Sequence, residues 1–374
     1  MDFVLNPSDS KVGGFFSFTK LCYAIFILMT ILIFLIVLSV LVLAHEWGHF
    51  VTAQRAGAKV EEFGFGFPPK VFSLTRNGTV FSFNLIPFGG FVKIFGENGQ
   101  DRGEPGSFGY LKISQRAKIL VAGVTMNVIL AFALLSIINL MGRPAIIDDA
   151  NVHLARDVHI QILEVAPASP AEKVGLKTGD VIAGATVGGS VQEFRDVPMF
   201  KSFVDGAAGR EVLLNIKRGG ESLSVKIVPR EHPPAEEGAL GVSLARIGII
   251  KSPWYLFWWN GLKDTAVMIG IIASALFLFF KTLILEGRLM GEVAGPIGIA
   301  ALTGQAYTLG LAYLLNLVAV LSVNLAILNI LPFPALDGGR LLFLAVEKIK
   351  GSPVSHKIEN AVNAAGFALL LGLM

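Results

Sequence analysis

The sequence predicts a polytopic α-helical membrane protein of about four spans, with a membrane-associated β-hairpin and a soluble α+β domain inserted between spans. Three observations carry this. The chain of 374 residues is 53% hydrophobic and only 16% charged, whereas soluble domains carry roughly a quarter charged residues. Apolar runs at 21–44, 118–141, 265–285 and 309–331 each reach the ~20 residues that a helix needs to cross a ~30 Å hydrocarbon core. Between them, residues 155–231 turn polar and β-branched, with Gly-Asp turns. A net charge of +3, from scattered basic residues, leaves no nucleic-acid footprint. The single cysteine, Cys22, excludes a disulfide framework or a cysteine metal site within the chain.

Residues 1–20 read as a short exposed tail and 21–50 as the first span. The run is too long for a signal-peptide core and lacks a small-x-small cleavage site, so it is read as retained. Residues 51–117 form a loop rich in Gly and aromatics. Its Arg55, Lys59, Lys70, Arg76, Lys93, Arg102, Lys112 and Arg116, against only Lys11 and Lys20 in the tail, place it on the cytoplasmic side. Asn77-Gly78 is a two-residue hairpin signal and predicts strands near 69–75 and 80–85. The hairpin's apolar faces suit dipping into the membrane or packing beside a site.

The second span, 118–141, carries Asn127 within "GVTMN". That residue is open between an ordinary interhelical hydrogen bond and a role near a site. In 155–231, "EVAPASPAEKVGLKTGDVIAGATVGG" reads as strand, short helix, Gly turn, strand, and a second hairpin turns at Gly219-Gly220. Residues 232–308 read as linker and interfacial helices, with "SPWYLFWWNG" fitting an aromatic belt at the membrane surface. A third span follows at 309–340. The segment 341–374 reads as a basic cytoplasmic loop and an incomplete fourth span, 363–374, which runs into Met374 and is read as truncated.

The first span ends in "HEWGH". His45 and His49, spaced i, i+4, share one helix face and can hold one metal, with Glu46 beside them as the base. Ionisable groups at the end of a membrane helix are expensive and functional by default. A catalytic zinc takes three protein ligands and keeps a fourth position open. His153, His159 and His232 belong to the insert or its borders, and His356 has no motif around it, so a carboxylate is the better third ligand. Asp337 offers one in "NLAILNILPFPALDGGR", where Pro332 and Pro334 must interrupt the helix. Broken backbone at membrane depth is tolerated only where protein buries it or water reaches it. The competing reading is a helix stop followed by an Asp-Gly turn.

Asn329 is a candidate for binding substrate backbone or an oxyanion, or for capping the broken helix. Gly89 and Gly90, in "IPFGG", offer with the hairpin an edge to which an unwound substrate adds as a strand, or pack the cytoplasmic face. Gly48 costs about 1 kcal/mol of helix propensity, which points to close approach of backbone or substrate. If His45 and Asp337 hold one metal, their helices cross the bilayer in the same direction. An odd number of crossings then lies between them, so 265–285 is expected not to cross despite its hydropathy.

"HEWGH", "FNLIPFGGFVKIFGE", "GVTMN", "VAGPIGIA" and "NILPFPALDGGR", in that order over nearly the whole chain, resemble the bacterial site-2 proteases of the RseP type. The resemblance implies Zn2+ held by His45, His49 and Asp337, with Glu46 as catalytic acid/base, and four spans. The insert is similar to a PDZ domain through "PASPAEKVGLKTGDVI". The resemblance further implies a multi-pass protein of the bacterial inner membrane; the Lys/Arg bias sets its site toward the cytoplasmic face and the PDZ-like domain on the periplasmic or extracytoplasmic side. The expected substrates are transmembrane segments of proteins already trimmed by an upstream site-1 protease, such as anti-sigma factors or signal-peptide remnants. Two rivals remain: a non-catalytic scaffold that presents the PDZ-like domain, and a metal transporter.

Overall fold

A computed structural model describes residues 10–98, 101, 103–187, 190–234, 237–287 and 295–373. Residues 1–9 of the expected tail, Arg102 and the first two residues of "VAGPIGIA" lie outside the described residues. The chain divides into two compact units, one of residues 1–135, 262–307 and 314–374, the other of residues 136–261 and 308–313.

In the first unit, helix α1 (Ser10–Arg55) carries the HEWGH motif without a break. Leu28 and Ile36 on it stay exposed, as lipid-facing residues do, while Val37 and Leu41 are buried against Val318. Strands β1 (Val60–Arg76) and β2 (Thr79–Ile94) follow, longer than the sequence suggested. Asn77 and Gly78 both take positive φ, 51° and 79°, as a type I′ hairpin requires. The strands bend so that Phe63 pairs with Val92 on one side and Phe81 on the other. Phe67, Phe72, Leu74, Phe83 and Leu85 remain exposed toward the hairpin tip. Helix α2 (Ile113–Met141) leads out of this unit.

The second unit is built on an antiparallel sheet of β3 (Arg143–Ile146), β4 (Ala155–Val165), β5 (Val181–Val187), β6 (Ser190–Gln192), β7 (Val212–Arg218), β8 (Glu221–Ile227) and β9 (Val242–Ile250). Its order is β3-β9-β4-β5-β7-β8, with β6 paired to β5, so it takes in strands from beyond 155–231. The short α3 (Pro170–Lys173) is capped at its start: Ser169 Oγ accepts from the Glu172 N–H, and the Glu172 carboxylate accepts from the Ala168 N–H. Helix α4 (Val197–Gly206), capped by Asp196, buries Phe200 and Val204 in a core with Ile160, Ile162, Leu214 and Ile216. Asp180 is fully buried and is satisfied by the Lys177 N–H at 2.9 Å and by Arg218 at 2.6 Å.

Helix α5 (Phe257–Glu286) continues into the first unit, followed by α6 (Pro296–Leu309), α7 (Leu311–Ile330), α8 (Asp337–Lys350) and α9 (His356–Leu373). Four helical segments are long and apolar enough to cross a membrane: Ala24–Arg55, Ile113–Met141, Phe257–Glu286 and Leu311–Ile330. This matches a polytopic membrane protein; by length and composition alone α5 is among the four and α9 is not. Helix α7 packs on α1 and α2 through Val318, Leu314, Leu321 and Leu325 against Ile33, Val37, Leu41, Leu130 and Leu134.

Replacing Arg218 by Met leaves the Asp180 carboxylate buried and unpaired, an error of about 3 kcal/mol. Pulse proteolysis of the full-length protein should show the inserted domain cleaved at a clearly lower denaturant concentration.

Candidate metal centre

Helical spacing delivers the first two ligands. His45 and His49 sit one turn apart on α1, 7% and 8% exposed, with their rings edge-on at 4.7 Å. Helix α2 can press against that turn because the contact lacks side chains on both sides. A Cβ on Gly48 would lie 2.3 Å from the Ala122 carbonyl oxygen, and one on Gly123 would lie 2.4 Å from His49 Nε2. Gly48 therefore serves the approach of a neighbouring backbone.

The third ligand comes from the broken segment after α7. Residues 331–336 turn away from the helix, Ala335 takes a left-handed φ of 71°, and the Ala335 N–H donates to Asn363 Oδ1 on α9. Asp337 then opens a new helix, α8, rather than ending an Asp-Gly turn. Gly338 follows it because a Cβ there would sit 2.0 Å from the Leu331 carbonyl oxygen. Two ion pairs strap α8 down. Arg340, one turn from Asp337, pairs with Glu97 just beyond β2. Arg116, on α2, grips Glu347 with two bonds of 2.5 and 3.0 Å. Neither pair was recognised in the sequence, because nothing in single-residue spacing links positions so far apart.

Three ligand atoms converge here: His45 Nε2, His49 Nε2 and Asp337 Oδ2, at mutual distances of 3.1, 3.1 and 3.2 Å. His49 Nδ1 lies 2.8 Å from the Ile119 carbonyl oxygen. A carbonyl can only accept, so the ring's proton is on Nδ1, and the neutral ring presents a bare Nε2 lone pair. Asp337 Oδ2 is buried with no hydrogen-bond donor of its own. Electron-rich atoms crowded this closely away from water repel one another unless a cation sits among them. Tetrahedral zinc, with bonds of about 2.0–2.1 Å, sets its ligands about 3.3 Å apart. The donor set and its spacing fit such an ion.

Glu46 lines the same cavity of about 190 Å³, together with Phe91, Glu97, Asp337 and Arg340. Gly90 lies alongside, where an added Cβ would be 3.9 Å from Glu46 Cγ and 3.3 Å from Leu43 Cδ2. Gly89 has a positive φ of 84° and faces Val42. Asn329, in the last turn of α7, is half-buried and is not among the residues lining the cavity.

Residues 33–373 match the model of peptidase family M50. The chain belongs to peptidase family M50. It is 33% identical over 347 residues to a Clostridium perfringens protein provisionally named a zinc metalloprotease, covering 92% of this chain and 96% of that one. It is 28% and 30% identical to the zinc metalloproteases RasP of Oceanobacillus iheyensis and Shouchella clausii, each aligned over 433 positions that cover 92% of this chain and 96% of the relative. Membership of family M50 agrees with the resemblance read from the sequence.

A Gly338→Ala substitution forces the start of α8 away from the 331–336 carbonyls and carries Asp337 with it. Metal retention after dialysis against a mild chelator should fall at least about tenfold, with the protein still inserted and helical.

Proposed function

We propose that this M50 peptidase is an intramembrane zinc metalloprotease that hydrolyses peptide bonds within transmembrane segments. The observation that carries the reading is the convergence of His45, His49 and Asp337 in a buried triangle beside Glu46. Zinc bound there supplies a Lewis acid for the scissile carbonyl and a water acidic enough to ionise near neutral pH. Glu46 takes the proton of the attacking water and returns it to the leaving amine nitrogen. Phe91 and Phe108 in the cavity wall limit access of bulk water.

A transmembrane helix hides its peptide bonds in its own hydrogen bonds and must unwind before attack. The edge that receives it is 90–94 of β2, whose one ladder partner among the described residues is 60–65 of β1. Gly90 brings that strand within van der Waals reach of Glu46, and a Cβ there would crowd the Gly64 carbonyl oxygen at 2.9 Å.

The inserted domain acts as a PDZ-type filter for substrates already trimmed by an upstream protease, of the anti-sigma-factor or signal-peptide-remnant kind. Residues 242–245 of β9 lie beyond the stretch paired to β3. Alongside, Val242 and Leu244 share a cavity of about 190 Å³ with Val197, Phe200 and Val204 of α4. An extended peptide added there gains ladder bonds on one side and apolar contacts on the other.

The basic loop 51–117 supports a metal centre toward the cytoplasmic face of a bacterial inner membrane, with the inserted domain on the other side. Helices α1 and α7 deliver their ligands at the same end, so the crossings between them are odd in number. Helix α2 supplies one. If α5 crossed, α6 would have to cross back, and its 14 residues span only about 21 Å of the ~30 Å needed. Helix α5 therefore lies at the interface.

Glu46→Gln should retain zinc and lose cleavage of a membrane-anchored reporter by at least about 100-fold; retained cleavage overturns the mechanism. In a Cys22→Ser background, Tyr255→Cys and Glu286→Cys should both be labelled from outside the cell. Labelling of the second only after permeabilisation would show that α5 crosses.

A further inference from the structure

We propose that Asn127 is a positioning residue of the metal centre: its side-chain oxygen accepts the Nδ1–H of His45 and so holds Nε2 of that ring as the metal-facing atom. This rests on the zinc reading above.

Helix α2 presents Ile119, Gly123 and Asn127 at i, i+4 and i+8, on one face over two turns. Each meets the histidine pair. The Ile119 carbonyl takes the Nδ1–H of His49. Gly123 leaves room for both rings, since a Cβ there would be 2.4 Å from His49 Nε2 and 2.7 Å from His45 Cε1. The Asn127 carboxamide stands 3.3 Å from His45 Nδ1. The two rings are thus held from behind in the same manner, one by a backbone carbonyl and the other by a side chain.

Asn127 is 0% exposed, and its backbone carbonyl accepts from Ser322 Oγ at 2.8 Å, which pins the residue between α2 and α7. The side-chain oxygen, as oriented, is buried and has no donor. A half-turn of the carboxamide exchanges oxygen and nitrogen without moving other atoms. The chemistry of the ring selects the orientation. A histidine that ligates through Nε2 carries its proton on Nδ1, and of the two carboxamide ends only oxygen can accept it. An ordinary interhelical asparagine pairs with backbone or with another polar side chain; this one faces a ligand ring. Together with Gly123 it gives "GVTMN" a function that the sequence left open.

The test uses the full-length protein in detergent, with zinc affinity measured by chelator competition. Asn127→Leu, which removes the acceptor, should weaken zinc binding by about 10–100-fold. Asn127→Asp, which keeps an acceptor, should bind zinc at least as tightly as the wild type. Wild-type affinity in Asn127→Leu, or equal damage in Asn127→Asp, overturns the proposal. Should Asn127→Leu fail to fold, the cobalt(II) form of Asn127→Asp decides. Its visible bands should shift from the wild-type position as the carboxylate raises the basicity of His45, and unshifted bands overturn the proposal. A wild-type protein that binds no zinc, or a His45→Ala variant that binds it equally well, refutes the zinc reading itself. Tight wild-type binding with an unaffected Asn127→Leu refutes only the role of Asn127.

Discussion

Three atoms able to ligate a cation, within about 3 Å of one another and shielded from water, form an arrangement that a cation among them stabilises. His45 Nε2, His49 Nε2 and Asp337 Oδ2 stand in that relation, and much of the first unit is arranged to hold them there. The absence of side chains at Gly48 and Gly123 brings α2 up behind the rings. The break after α7 turns a carboxylate toward them from a separate part of the chain. A rigid surround matters because coordination geometry tolerates little misplacement, and loosely held ligands lose both affinity and reactivity.

The surround is held by ion pairs at α8 and by apolar packing where α1, α2 and α7 meet. Arg340–Glu97 and Arg116–Glu347 fasten α8 to the end of the hairpin and to α2. Exposed ion pairs contribute little to stability, but these are partly buried and one is two-pronged, so they fix orientation as well as charge. Further into the unit the contacts become Leu, Ile and Val between α1, α2 and α7. Membership of peptidase family M50 is consistent with this division.

Much of this was legible in the sequence for identifiable reasons. His45 and His49 were readable because helical periodicity alone puts i and i+4 together, and because charge beside lipid is too costly to be incidental. Asn77-Gly78 was readable because only certain residues accept two successive positive φ angles. The expected strands were too short. Gly64, Gly66 and Pro68-Pro69 look like loop residues, and only non-local pairing to 79–94 makes that stretch extended. Gly338 and Gly339 invited the reading of a turn. Their real constraint is crowding by the carbonyls of Leu331 and Phe333, a tertiary fact that composition does not carry. In the insert, the Gly219-Gly220 turn was visible, while β3 and β9 were hidden in stretches that resemble linker.

The third candidate ligand, Asp337, lies far along the polypeptide from His45 and His49, beyond the inserted domain and α7. During synthesis the two histidines enter the bilayer early, whereas the aspartate leaves the ribosome only after the insert and α7 have been made. Domains form in the order in which they emerge, so a half-translated chain has a pair of imidazoles and no carboxylate to join them. Chemical competence therefore arrives last, once the inserted domain has already had time to fold.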